Sequence, residues 1–187
     1  MCIRQFSIVT LLTTEEKNLS SILPLIKENL ERCPDFHTQL VIARIYYLIK
    51  KFPDSYEYFK SSLEYWSYHP PFWIALGLLY FKNDQPEDAT VAFQRAIYMN
   101  QTSSTAWLNL GYAYESKYKL EHAKQIYSHG MKQCKNDEFL ARINGVKKSE
   151  MIEVDNEELL QQVPETAAKE YIRTIPYIDG ESIGIPG

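Results

Sequence analysis

Residues 73–80 read WIALGLLY and residues 107–114 read WLNLGYAY. Both spell Trp-x-x-Leu-Gly-x-x-Tyr, and the second copy follows the first by 34 residues. Residue types recurring at one spacing, with a period between about 20 and 50 residues, are the mark of an array of small structural units. The match extends well beyond the quoted stretches. Trp73 aligns with Trp107, Leu76 with Leu110, Gly77 with Gly111, Tyr80 with Tyr114, Ala89 with Ala123, Phe93 with Tyr127, and Ala96 with Gly130. One period earlier, Ile42, Ala43, Tyr46, Ser55, Phe59 and Ser62 hold the corresponding places. Three units in register follow: 36–69, 70–103 and 104–137.

Each unit reads as two helices. The first carries its large apolar residues at intervals of three and four, and the second begins after a break marked by KKFPDS, KNDQPED or SKYKLE. Pro53 and Pro86 suit the first position of a helix, where the missing N–H costs nothing, and Asp84-Gln85 can cap the helix that Pro86 opens. Small residues fall where paired helices approach most closely, so Gly77 is expected to face Ala89, Gly111 to face Ala123 and Ala43 to face Ser55. One hairpin cannot bury its own apolar face, and three in a row form a continuous core. The expected fold is all-α, an α-α superhelix of stacked helix hairpins.

The ends depart from the frame. Residues 1–35 are read as a helical N-terminal cap or decayed repeat, with Pro24 interrupting its helix and Ser21 and Leu25 in repeat register. Residues 138–148 are read as a capping helix with Phe139, Ile143 and Val146 on its apolar side and charges on the other. Residues 149–187 form a C-terminal tail, in which Tyr171–Ile178 (YIRTIPYI) is apolar enough to be expected against the repeats.

Composition excludes several function classes. A net charge of −4 with scattered lysines and arginines offers no broad basic face, so direct nucleic-acid binding is not expected. WIALGLLYF and SIVTLLTT fall short of the roughly 20 apolar residues of a membrane-spanning helix, and no membrane partner is expected. The N-terminal run lacks a small-residue cleavage site. Cys2, Cys33 and Cys134 are odd in number, far apart and without a CxxC pair, as free thiols of an intracellular protein would be.

No catalytic constellation stands out. The chain has no Gly-rich phosphate loop and no nucleophile paired with a base. His122 and His129 are seven residues apart with Cys134 nearby, whereas metal ligands on one helix sit three or four apart, so neither metal nor cofactor is expected. The acidic runs DNEE and ENLE read as solvated surface.

The residues quoted above resemble the tetratricopeptide repeat, a helix hairpin of 34 residues with Trp, Leu-Gly, Tyr, Ala, Phe and Ala at these offsets. The likeness covers Phe36–Asp137, with Ser67, Gln101 and Lys135 where many repeats place a terminating Pro. More narrowly, Pro71-Phe72-Trp73, Gly77, Leu79-Tyr80, Gln85, Asp88-Ala89, Arg95-Ala96-Ile97, Trp107, Leu110-Gly111 and Tyr114-Glu115-Ser116 resemble the last repeats of the fungal general transcriptional corepressor subunit. Related repeats precede the JmjC domain of some histone lysine demethylases. Members of that family carry many more repeats and long low-complexity tails. The resemblance implies a non-enzymatic interaction module in a corepressor complex, with a WD40 subunit as partner and the nucleus favoured over the cytoplasm. The alternative is a structural subunit of a large assembly such as the anaphase-promoting ubiquitin ligase.

In such repeats the first helices build a concave face. The candidate groove comprises Leu40, Arg44 and Tyr47 of the first unit, Ile74, Leu78, Phe81 and Lys82 of the second, and Leu108, Tyr112 and Glu115 of the third. Their apolar character points to a peptide or helix of a protein partner with an apolar or amphipathic face. Chaperone adaptors of this family clamp a terminal carboxylate with Lys and Asn at the places that here hold Leu40 and Arg44, Ile74 and Leu78, or Leu108 and Tyr112. Chaperone carboxylate binding is therefore not expected.

Overall fold

A computed structural model describes residues 18–32, 34–145 and 149–161 of the protein. Among the described residues there are nine α-helices and no strand. They are α1 (Leu19–Arg32), α2 (Phe36–Leu48), α3 (Phe52–Trp66), α4 (Pro70–Lys82), α5 (Pro86–Met99), α6 (Ser104–Ser116), α7 (Leu120–Gln133), α8 (Glu138–Ile143) and α9 (Asn156–Leu160). The described residues fall into two compact units, one formed by 18–67 with 155–161 and the other by 68–154. The paired helices α2–α3, α4–α5 and α6–α7 are tandem hairpins.

In the first unit α1 packs on α2, and α2 pairs with α3. Pro24 does not interrupt α1, contrary to the sequence expectation. The proline forfeits one backbone hydrogen bond, but Leu19, Leu23 and Ile26 at helical spacing are all buried and hold the helix through it. Leu25, placed in repeat register by the sequence, is 48% exposed. Asp35 caps α2, its carboxylate accepting from the Thr38 N–H at 2.9 Å and the Thr38 hydroxyl at 2.7 Å. Burial pushes that carboxyl up, but bonds from His37 and Thr38 outweigh it and hold Asp35 well below the usual carboxylate range. Ala43 and Ser55 do meet where α2 and α3 cross, joined by a 2.8 Å bond from the Ser55 hydroxyl to the Ala43 carbonyl. The buried Trp66 closes the hairpin by donating from Nε1 to the Phe36 carbonyl.

In the second unit α4 pairs with α5, α5 packs on α6, α6 pairs with α7, and α8 closes the end against α7. Pro70 opens α4 and Pro86 opens α5. The expected Asp84-Gln85 cap is not made: α5 has no side-chain cap, and Gln85 instead accepts from the Asn83 amide. The close approaches also differ from the simple pairing of small residues. A Cβ on Gly77 would lie 2.5 Å from Cε1 of Phe93, and one on Gly111 would collide with the ring of Tyr127. Each glycine makes room for an aromatic ring four residues beyond the alanine expected to face it. Leu108, Ala123, Tyr127, Cys134 and Phe139 form a buried cluster, with Trp107, Tyr114, Ile143 and Ile152 packed against it.

One backbone feature repeats through all three hairpins. Lys50, Asp84 and Tyr118 have φ of 61°, 58° and 58°, the only non-glycine residues with positive φ among the described residues. They sit 34 residues apart. In each turn the next residue's N–H reaches back to a tyrosine carbonyl: Lys51 to Tyr46, Gln85 to Tyr80, and Lys119 to Tyr114. The left-handed residue lets the chain reverse while satisfying carbonyls at the end of the first helix. Residues 36–69 therefore turn as 70–103 and 104–137 do.

Candidate partner-binding face

The first helices of the hairpins are α2, α4 and α6, and both units lay the chain's own C-terminal residues against one of them. In the first unit this is α9, which packs on α2. Asp155 caps α9 by accepting from the N–H groups of Glu157 at 2.7 Å and Glu158 at 3.2 Å. Arg44 donates from Nε to Oδ1 of Asn156 at 2.7 Å, and its guanidinium stands 4.9 Å from the centre of the Tyr47 ring. Leu40, Arg44 and Tyr47 are all buried, as are Leu159 and Leu160 of α9.

In the second unit the segment preceding α9 lies on α6 and α8. The side chain of Asn109, fully buried, donates to the Ile152 carbonyl at 2.8 Å and accepts from the Ile152 N–H at 2.7 Å. Arg142 of α8 donates to the Glu150 carbonyl at 3.0 Å, to the Leu108 carbonyl at 3.4 Å and to Glu138 at 3.2 Å. Its guanidinium also faces the Tyr127 ring at 5.8 Å. Burial pushes the Tyr127 hydroxyl up to about 12, only partly opposed by Arg142. Ile74, Leu78 and Leu108 are buried here. Toward the C-terminal ends of α4 and α6 the surface opens. Phe81 and Tyr112 are half-buried with ring centres 5.6 Å apart, Glu115 is half-buried, and Lys82 is exposed.

Tandem hairpins with one shared turn geometry and a 34-residue period call for comparison with known repeats. Residues 70–103 and 104–137 each match the family model of the tetratricopeptide repeat. Two of the three hairpins thus resemble this repeat one by one. A solved structure titled "Crystal structure of MamA" superposes with a TM-score of 0.57 at 24% identity, covering 63% of this chain and 69% of that one. At that identity the likeness carries the fold alone. No curated protein matches the chain. Tetratricopeptide repeats are scaffolds for protein interaction, built by stacking units around an extended concave surface.

The repeats explain where the expected groove residues stand. Leu40, Arg44, Tyr47, Ile74, Leu78 and Leu108 are not open surface; Phe81, Lys82, Tyr112 and Glu115 are accessible in whole or part. Leu78 and Leu108, expected to line the groove, lie in the packed interior. Sequence reading also missed Asn109 and Arg142. Arg142 was assigned to the charged side of the capping helix, yet it is buried and supplies hydrogen bonds to two carbonyls. A signal for Asn109 existed: in the repeat frame it aligns with Val41 and Ala75, both buried, and a polar residue in an apolar column needs a partner. Tyr171–Ile178 and Val146 lie outside the described residues. His122 stacks on Tyr114, His129 bonds the Gln125 carbonyl, and no group of three or more metal-ligating side chains occurs among the described residues. No helix among them is long and apolar enough to cross a membrane.

Proposed function

We propose that the protein is a non-enzymatic adaptor that takes an apolar or amphipathic segment of a protein partner on the face formed by α4 and α6. The observation that carries this reading is the grip of Asn109 on Ile152, a polypeptide segment already seated on that face through its backbone. The accessible end of the face, Phe81 and Tyr112 flanked by Lys82 and Glu115, offers a partner an aromatic contact with one charge of each sign. Aromatic side chains of this kind dominate the energetics of protein contacts. The resemblance to corepressor repeats favours a transcriptional corepressor assembly in the nucleus, with a WD40 subunit as partner.

Affinity capture with the full chain followed by mass spectrometry tests this, with Phe81→Glu/Tyr112→Glu as the control. Recovery of a WD40 protein or histone deacetylases by the wild type, lost in the double variant, is the expected result. Recovery of ubiquitin-ligase subunits would replace the corepressor reading with that of a structural subunit. Capture indifferent to both substitutions would remove the site from this face.

A further inference from the structure

The segment on α6 looks like a ligand more than like a core element. Its backbone is held by side chains: Glu150 by Arg142, and Ile152 by both polar atoms of the Asn109 amide. Ile152 packs against the cluster around Leu108 and Tyr127, and Val154, two residues on, is buried, while Glu153 between them is exposed. That alternation is the pattern of an extended strand with one face down. An amide that donates to a carbonyl and accepts from the N–H of the same residue reads only the peptide group, which every residue except proline offers in full. Burying an asparagine completely is costly unless both its polar ends are satisfied, so the site demands a polypeptide backbone there. It does not demand this particular one.

Resting on the adaptor reading above, we infer that residues 150–154 are a built-in occupant of a peptide site on α6, and that the partner recognised there is an extended segment with apolar residues two apart, which binds by displacing them. The chain thereby lowers its own apparent affinity by the fraction of time the segment is seated. Recognition has two parts. Asn109 and Arg142 hold the backbone, and the apolar cluster around Leu108 selects an apolar side chain at the place of Ile152.

The test uses the full chain and a fluorescent peptide of residues 149–155, SEMIEVD. The substitution Ile152→Asp with Val154→Asp unseats the internal segment without altering α6 or α8. Fluorescence anisotropy should then show at least about tenfold tighter peptide binding than the wild type, the gain expected when a competing seated state is removed. Adding Asn109→Ala should abolish the gain. A folded double variant with no gain, or a gain that survives Asn109→Ala, overturns the inference. Should the double variant not fold, hydrogen exchange on the wild type decides. The Ile152 amide should exchange faster with peptide in large excess, and exchange unchanged by peptide overturns the inference equally. Partner capture that depends on Phe81 and Tyr112 would stand in either event, so failure of this internal competitor is distinguishable from failure of the adaptor reading.

Discussion

The ring of Tyr127 fills the space that a side chain on Gly111 would need. Gly77 and Phe93 stand in the same relation one repeat earlier. Gly111→Ala and Gly77→Ala should therefore destabilise the protein, although alanine favours helix by about 0.5–1 kcal/mol over glycine. Overpacking against a buried ring costs about 1–3 kcal/mol, and the ring cannot fold away as a flexible chain end would. Denaturant melts should show a net loss for each, and Phe93→Leu should recover part of it in the Gly77→Ala background. Unchanged midpoints would refute the packing.

The left-handed turns carry strain that glycine would relieve. Tyr118, at φ 58° and 91% exposed, makes no buried contact that its removal would forfeit. A left-handed conformation costs a residue with Cβ about 1–2 kcal/mol, part of which glycine returns as greater unfolded-state entropy. Tyr118→Gly should stabilise by up to about 1 kcal/mol, readable as a raised Tm. A lowered Tm would mean the turn geometry is wrong.

Tyr127 should make stability fall at alkaline pH. Its hydroxyl titrates at about 12 in the folded protein against 10.0 for an unperturbed tyrosine, so the folded state holds the proton more tightly. The stabilisation is complete below pH 10 and is lost as pH rises toward 12, on the order of 2 kcal/mol in all. Unfolding free energies measured from pH 8 to 12 should fall less steeply for Tyr127→Phe than for the wild type. Parallel curves would show that the hydroxyl does not contribute.

Asp35 governs the acid side in the opposite sense. Its folded carboxyl titrates well below an unperturbed one, so its contribution is full above about pH 4 and declines as pH falls through the folded value. Asp35→Ala also removes the α2 cap and should cost about 1 kcal/mol at pH 7. The gap between variant and wild type should narrow in acid. A gap constant down to pH 2 would assign the effect to packing alone.

Surface and interior separate cleanly on the first helices. Leu78→Glu or Leu108→Glu places a carboxylate where Leu78 and Leu108 are at most 1% exposed, at a cost of several kcal/mol, enough to unfold a marginal domain. Phe81→Glu and Tyr112→Glu should each change stability by about 1 kcal/mol or less. Circular dichroism melts of the four variants check the division, and an intact Leu108→Glu protein would contradict the burial described.

The hairpins were legible in the sequence because their determinants are local and periodic. Trp73, Leu76, Gly77 and Tyr80 recur as Trp107, Leu110, Gly111 and Tyr114, and a 34-residue period with helical spacing inside it admits few folds. The left-handed turns were not legible, since Lys50, Asp84 and Tyr118 share a conformation but no residue type. Of the candidate face only its apolar character was legible, because an amphipathic pattern says that a side is apolar and not what covers it. Asn109 finds Ile152 across 43 residues, Arg44 finds Asn156 across 112, and no period links either pair. The sequence by itself determined the repeats, because a helix's apolar stripe is written in its own residues. Only the tertiary structure decided that the chain's own later residues cover α2 and α6, because which buried polar group meets which distant backbone depends on where the folded chain returns.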